Sequence, residues 1–155
     1  MRRYLLPGLC MLVLVLALHT LTLASGVPAT LPVKQVAIVT AGGERHAFHA
    51  HLADTEAARG RGLMFVTQLE DDQGMLFDLG ETRPVNMWMK NTPLSLDMLF
   101  IDERGVIVRI AERTVPFSTR LIRSGVAVRA VLEINGGRAE ALGISVGDRL
   151  VENGD

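Results

Sequence analysis

The chain has 155 residues, 16 basic and 17 acidic side chains, a net charge of −1, 48% hydrophobic residues and one cysteine. Basic and acidic residues are interspersed along the sequence rather than clustered, which argues against a phosphate-tracking nucleic-acid surface and against a polybasic membrane-surface stretch. Nothing after Cys10 is a cysteine, so the rest of the chain has no disulfide, no thiol nucleophile and no thiolate metal site.

Met1-Arg2-Arg3 precedes an unbroken apolar run from Leu9 to Leu18, and the small residues Ala24, Ser25 and Gly26 follow. Charge, apolar core and small residues in that order predict a secretory signal peptide over residues 1–26. The apolar core is ten residues long, about half of what a spanning helix needs, so no stable membrane insertion is expected once the leader is removed. A retained single-pass anchor is the alternative reading. Cleavage near Gly26 leaves 14 basic and 17 acidic residues, a net charge of −3, in a protein expected to be periplasmic or extracellular. Val27 to Pro32, with two prolines, reads as a flexible lead-in, and residues 33–155 read as a single domain large enough to bury a core without covalent staples.

In chain order, Val33 to Thr40 and Arg45 to Leu52 read as strands joined by Ala41-Gly42-Gly43-Glu44, a hairpin turn. A period of two puts Phe48, Ala50 and Leu52 on one face and His49 and His51 on the other. Asp54 is the expected N-cap of a short helix from Thr55 to Arg61, closed by Gly62. Met75 to Phe77 and Val85 to Met89 read as strands, with a loop from Leu79 to Pro84 between them. Pro93 bends the chain. Leu94 to Ile101 and Val106 to Glu112 flank the hairpin turn Asp102-Glu103-Arg104-Gly105. A long loop from Arg113 to Gly125 leads to a strand from Ala127 to Ile134, a brief helix from Arg138 to Leu142 and a last strand from Arg149 to Val151. Seven or eight short strands with two short helices predict a mainly β fold, an antiparallel sandwich or distorted barrel.

Several motifs carry a resemblance. Ala53 with Gly62-Leu63-Met64, Gly74-Met75-Leu76-Phe77, Trp88-Met89-Lys90-Asn91-Thr92-Pro93 with Leu96-Asp97, Phe100-Ile101-Asp102 with Gly105, and Val131-Leu132-Glu133 with Gly136 and Gly147-Asp148 span nearly the whole domain. In order and spacing they resemble the exported prokaryotic family catalogued as domain of unknown function 192. That resemblance implies a mainly β, sandwich-like fold and supplies no activity. His46, His49 and His51 fall outside its pattern.

The candidate site is the stretch from Asn86 to Asp97. Strand alternation places Asn86, Trp88 and Lys90 on one face and Val85, Met87 and Met89 on the other. An indole beside an ammonium and an amide suits a polar ligand with an apolar side; the structural alternative has Trp88 plugging the core edge and Lys90 pairing with an acid. Asp97 lies in an apolar strand and must be paired, hydrogen-bonded or protonated if buried, with Lys90, Asn91 and Thr92 the nearest suppliers. Glu133 raises the same question, with Arg129 on its face. Two such carboxyls can act as acid and base in glycoside or ester hydrolysis, or can be structural ion pairs. His49 and His51 are a two-ligand metal motif or a solvent-facing pair, and Met64, Met75, Met87, Met89 and Met98 are a soft cuprous site or core filler. No nucleophile elbow, phosphate loop or dinucleotide fingerprint is present, so no cofactor is called for.

The sequence therefore points to a small extracytoplasmic binding or accessory module, taking a glycan or other small polar ligand at Trp88, Lys90, Asn91, Asp97 and Glu133. The alternatives are an envelope-carbohydrate hydrolase using Asp97 and Glu133, and a carrier of copper or zinc.

Overall fold

A computed structural model describes residues 26–27 and 30–152, so all of the predicted leader except Gly26 lies outside the described residues. The elements are β1 (Val33–Val39), β2 (Arg45–Ala53), α1 (Glu56–Arg61), β3 (Gln73–Arg83), β4 (Asn86–Met87), β5 (Leu96–Ile101), β6 (Ile107–Ala111), β7 (Ile122–Arg123), β8 (Val128–Asn135), α2 (Arg138–Ala141) and β9 (Arg149–Glu152). Seven strands form one sheet in the order β6-β5-β8-β3-β2-β1-β9, and β4 and β7 form a separate pair. The large sheet curls into a half-barrel. Its two edges meet at one end, where Val106 bridges Arg149 and the Leu150 amide donates to the Gly105 carbonyl at 2.8 Å. The mainly β expectation is met, with nine strands among the described residues.

Both faces of the sheet are covered. One gathers Val36, Ile38, Phe48, Leu99, Leu132 and Ile134. The other gathers Met75, Phe77, Met98, Phe100 and Val131 under Leu63, Val66 and Met89, which come from the connections laid over it. A strand covered on both faces loses polar alternation, and β5 is accordingly buried at all six positions.

The β1–β2 hairpin forms as predicted, from Val33 opposite His51 to Val39 opposite Arg45. Asp102 also holds its predicted turn, its Oδ1 accepting the amides of Arg104 at 2.9 Å and Val106 at 2.8 Å. Other elements differ. The expected loop from Leu79 to Pro84 is mostly the far end of β3, which stays paired to β8 through an irregularity between Asp78 and Arg83. The expected strand from Val85 to Met89 shrinks to the two residues of β4, because the Met89 amide donates to the Ser118 carbonyl at 2.9 Å instead of entering a ladder. Its partner β7 lies inside the predicted long loop. Strands β2 and β3 pair in parallel, with α1 in the crossover.

Candidate functional site

The N-cap of α1 is Thr55, not Asp54: the Thr55 hydroxyl accepts from the Ala58 amide at 3.1 Å. The Asp54 carbonyl instead accepts from Arg59 Nη1 at 2.6 Å, and the Asp78 carbonyl accepts from the same nitrogen at 2.8 Å. Gly62 ends the helix at φ 49°, and a Cβ there would approach the Phe77 ring to 3.2 Å. The glycine thus lets the helix end lie close against β3. Between α1 and the segment from Arg83 to Thr92 runs a groove of about 490 Å³, within the size range of small-molecule sites.

Leu63, Met64, Phe77, Leu79, Val85 and Met87 give the groove its apolar lining; Arg59, Arg61, Arg83 and Lys90 bring cations, Glu56 and Glu133 bring carboxyls, and Asn86, Trp88 and Thr92 also line it. Exposure still alternates along Asn86, Trp88 and Lys90, outward, against Met89, buried, although the ladder ends at Met87. Trp88 is 45% exposed, so it does not plug the core edge. That position is taken by Met89, whose Sδ accepts from the Thr114 hydroxyl at 3.2 Å. The Lys90 ammonium lies 5.2 Å over the indole centroid and has no acidic partner among the described residues. Asn91, at φ 55°, turns the chain away and points Nδ2 at Met64 Sδ, 3.9 Å off.

Asp97 and Glu133 are not brought together. In the β5–β8 register Asp97 lies opposite Ile134 and Glu133 opposite Met98, so the two carboxyls point to opposite faces of the sheet. Asp97 is fully buried. Its Oδ1 accepts the amides of Arg113 at 2.7 Å and Gly137 at 2.9 Å, and its Oδ2 accepts that of Ala139 at 2.9 Å. The expected suppliers Lys90, Asn91 and Thr92 play no part. Three backbone donors from two distant connections consume the carboxylate, which pins the start of α2 to β5.

Glu133 is the opposite case. It is 4% exposed, flanked in register by Met75 on β3 and Met98 on β5, and no donor among the described residues partners it. Arg129 is engaged with Asp78 instead, and this contact holds the Asp78 carboxyl below its ordinary range. Burial pushes the Glu133 pKa up to about 8, so the side chain is a neutral acid at pH 7, able to donate as well as accept. Gly74 makes this packing possible, since a Cβ there would meet the Glu133 carbonyl oxygen at 2.7 Å.

The histidines separate. His49 Nδ1 faces Asp72 at 3.3 Å, His46 faces Glu44 at 3.7 Å, and the Nδ1 of His51 is buried without a partner, its pKa lowered by desolvation. Among the described residues no three His, Cys, Asp or Glu side chains converge on a point. Met75, Met89 and Met98 are core residues, whereas Met64 and Met87 line the groove. Sequence reasoning named Trp88, Lys90 and Glu133 but missed α1 as the opposite wall; Gly62 followed by Leu63-Met64 was the available signal.

Fold and groove together define a small half-barrel domain with a ligand-sized groove set against one face of its sheet. The chain belongs to the family domain of unknown function 192, described as Uncharacterized ACR, whose model matches residues 37–151. A solved structure from Sinorhizobium meliloti, provisionally described as a transcription regulator, is similar at 48% identity and a TM-score of 0.79, over 81% of this chain and 97% of that one. A protein of unknown function from Novosphingobium aromaticivorans is similar at 36% identity and a TM-score of 0.77, over 81% of this chain and 90% of that one. No curated protein matches the chain.

Proposed function

We propose that this protein is a small extracytoplasmic binding module whose groove takes a small acidic organic molecule with an apolar side, such as a carboxylated sugar. The observation that carries the reading is Glu133: a buried carboxyl with no partner among the described residues, opening onto a groove bounded by an exposed tryptophan and several cations. The acid opens onto the groove, and a ligand oxygen placed against its proton gains a hydrogen bond worth about 0.5–1.5 kcal/mol net. The indole offers its face to a sugar ring or flat ligand, and Lys90 and Arg61 attract the anion.

Calorimetric titration of the chain with glucuronate and with glucose tests this. Glucuronate should bind more tightly than glucose, and its affinity should fall as the pH is raised through about 8, where Glu133 ionises and repels it. Equal affinities, or none, would refute it. The extracytoplasmic placement rests on the leader-like order of Arg2-Arg3, the apolar run and Ala24-Ser25-Gly26. Intact-mass measurement of protein from a bacterial envelope fraction should show loss of about 26 residues, and an uncut amino terminus in a soluble cytoplasmic fraction would contradict it.

A further inference from the structure

Three connections knit together beside the groove. The Phe65 amide donates to the Asn91 carbonyl at 2.8 Å, the Phe117 amide to the Thr92 carbonyl at 3.0 Å, and the Met89 amide to the Ser118 carbonyl at 2.9 Å. The segments so joined, 59–69, 82–96 and 113–128, hold seven of the chain's 16 basic residues and none of its 17 acids. Arg59 is held by two carbonyls, Arg83 faces Glu81 and Arg113 is paired with Glu140. Arg61, Lys90, Arg120 and Arg123 have no acidic partner among the described residues. The chain is slightly acidic as a whole, so these three stretches depart from its average, and the fold joins them.

The same segments carry six of the eight large hydrophobic side chains exposed among the described residues: Phe65, Trp88, Val115, Phe117, Leu121 and Val126. The pairing of Met87 with Ile122 in β4–β7 sets Trp88 close to Leu121. Phe65 and Phe117 are each 62% exposed and sit at φ 65° and 59°. Glycine takes that region freely, whereas a bulky side chain enters it only against steric resistance. Two phenyl rings are thus held toward solvent by a backbone that local preference opposes, a pattern associated with functional surfaces.

From this we infer that the face built by Phe65, Trp88, Phe117 and Leu121 adsorbs peripherally to an anionic phospholipid surface, with Lys90, Arg61, Arg120 and Arg123 on the lipid phosphates. Charge complementarity selects the anionic partner, since four cations without acidic partners among the described residues gain nothing from neutral lipid. The aliphatic tips select lipid over nucleic acid. Val115, Leu121 and Val126 add nothing to base stacking, which needs aromatic platforms, while a bilayer interface takes aliphatic and aromatic side chains alike. No spanning segment is involved; Trp88, Lys90 and Arg61 also bound the groove, whereas Phe65, Phe117, Arg120 and Arg123 lie outside it and separate adsorption from ligand binding.

The test is flotation of the chain from Gly26 onward with phosphatidylglycerol-rich and with phosphatidylcholine vesicles. That piece holds every strand of the sheet, and 81% of the chain matches a solved relative over 97% of the relative's length. Binding to the anionic vesicles, weakened by salt and absent on the neutral ones, is expected. Arg120→Gln with Arg123→Gln should lower partitioning by about fivefold per cation removed. Phe65→Gly with Phe117→Gly should lower it further while the melting temperature holds or rises, since glycine relieves the positive φ; a merely structural role would move both readouts down together. Equal binding to neutral vesicles, binding unchanged in both double variants, or capture of a single-stranded oligonucleotide in preference to anionic vesicles would overturn the inference.

Discussion

Glu133→Gln isolates the least ordinary group in the protein. In the folded state the Glu133 carboxyl keeps its proton up to about pH 8, against 4.5 ordinarily, because burial disfavours the anion. Between those values the folded chain binds more protons than the unfolded one, so stability falls as pH rises. The contribution is complete below pH 4.5, declines through the interval and levels off above about 8. At about 1.36 kcal/mol for each pH decade, the span from 4.5 to about 8 amounts to up to about 5 kcal/mol. Glutamine keeps the shape and cannot ionise, so burying its amide shifts stability by the same amount at every pH. Urea unfolding of both proteins across the interval should give curves that diverge as pH rises, with the variant gaining on the wild type by up to that amount. Parallel curves would refute the reasoning, for they would mean that Glu133 ionises in the fold as freely as in the unfolded chain.

Other substitutions follow from the same geometry. Asp97→Ala strips three backbone amides of their acceptor, that of Ala139 buried and those of Arg113 and Gly137 part-buried; at about 1–3 kcal/mol for the buried one and less for the others, a clear loss in denaturant unfolding is expected, with the start of α2 freed to hydrogen exchange. Gly74→Ala drives a methyl to 2.7 Å from the Glu133 carbonyl oxygen, so a loss of about 1–3 kcal/mol is expected, visible as a lowered melting temperature. Trp88→Ala removes a side chain that is 45% exposed; stability should change by about 0.5 kcal/mol or less while glucuronate affinity falls in calorimetry. A loss of stability as large as that of Gly74→Ala would place the indole in the core instead.

What the sequence disclosed depended on how local each signal was. The β1–β2 hairpin was legible because Gly43 supplies the positive φ its turn needs, and the Asp102 turn because its acceptor and donors lie within four residues. The far half of β3 was not, since Gly80 and Pro84 read as loop while β8 keeps the strand in place beyond its irregularity. Burial of Asp97 followed from its apolar neighbours, but its partners did not, because the amides of Arg113, Gly137 and Ala139 reach it only once the sheet has formed. The same dependence on register separates Asp97 from Glu133: the choice of face is fixed by pairing across β5 and β8. The basic, apolar face was concealed for a related reason, its cations being drawn from three separate stretches.

NMR of methyl and indole resonances during glucuronate titration tests most directly that the groove at Glu133 accepts an outside molecule. Shifts are expected at the methyls of Met64, Met87 and Leu63 and at the Trp88 indole, all of which line the groove; the wild type should lose them as the pH passes about 8, whereas Glu133→Gln should keep them. Resonances that stay fixed through the titration, or that move only at residues remote from α1 and β4, would contradict it.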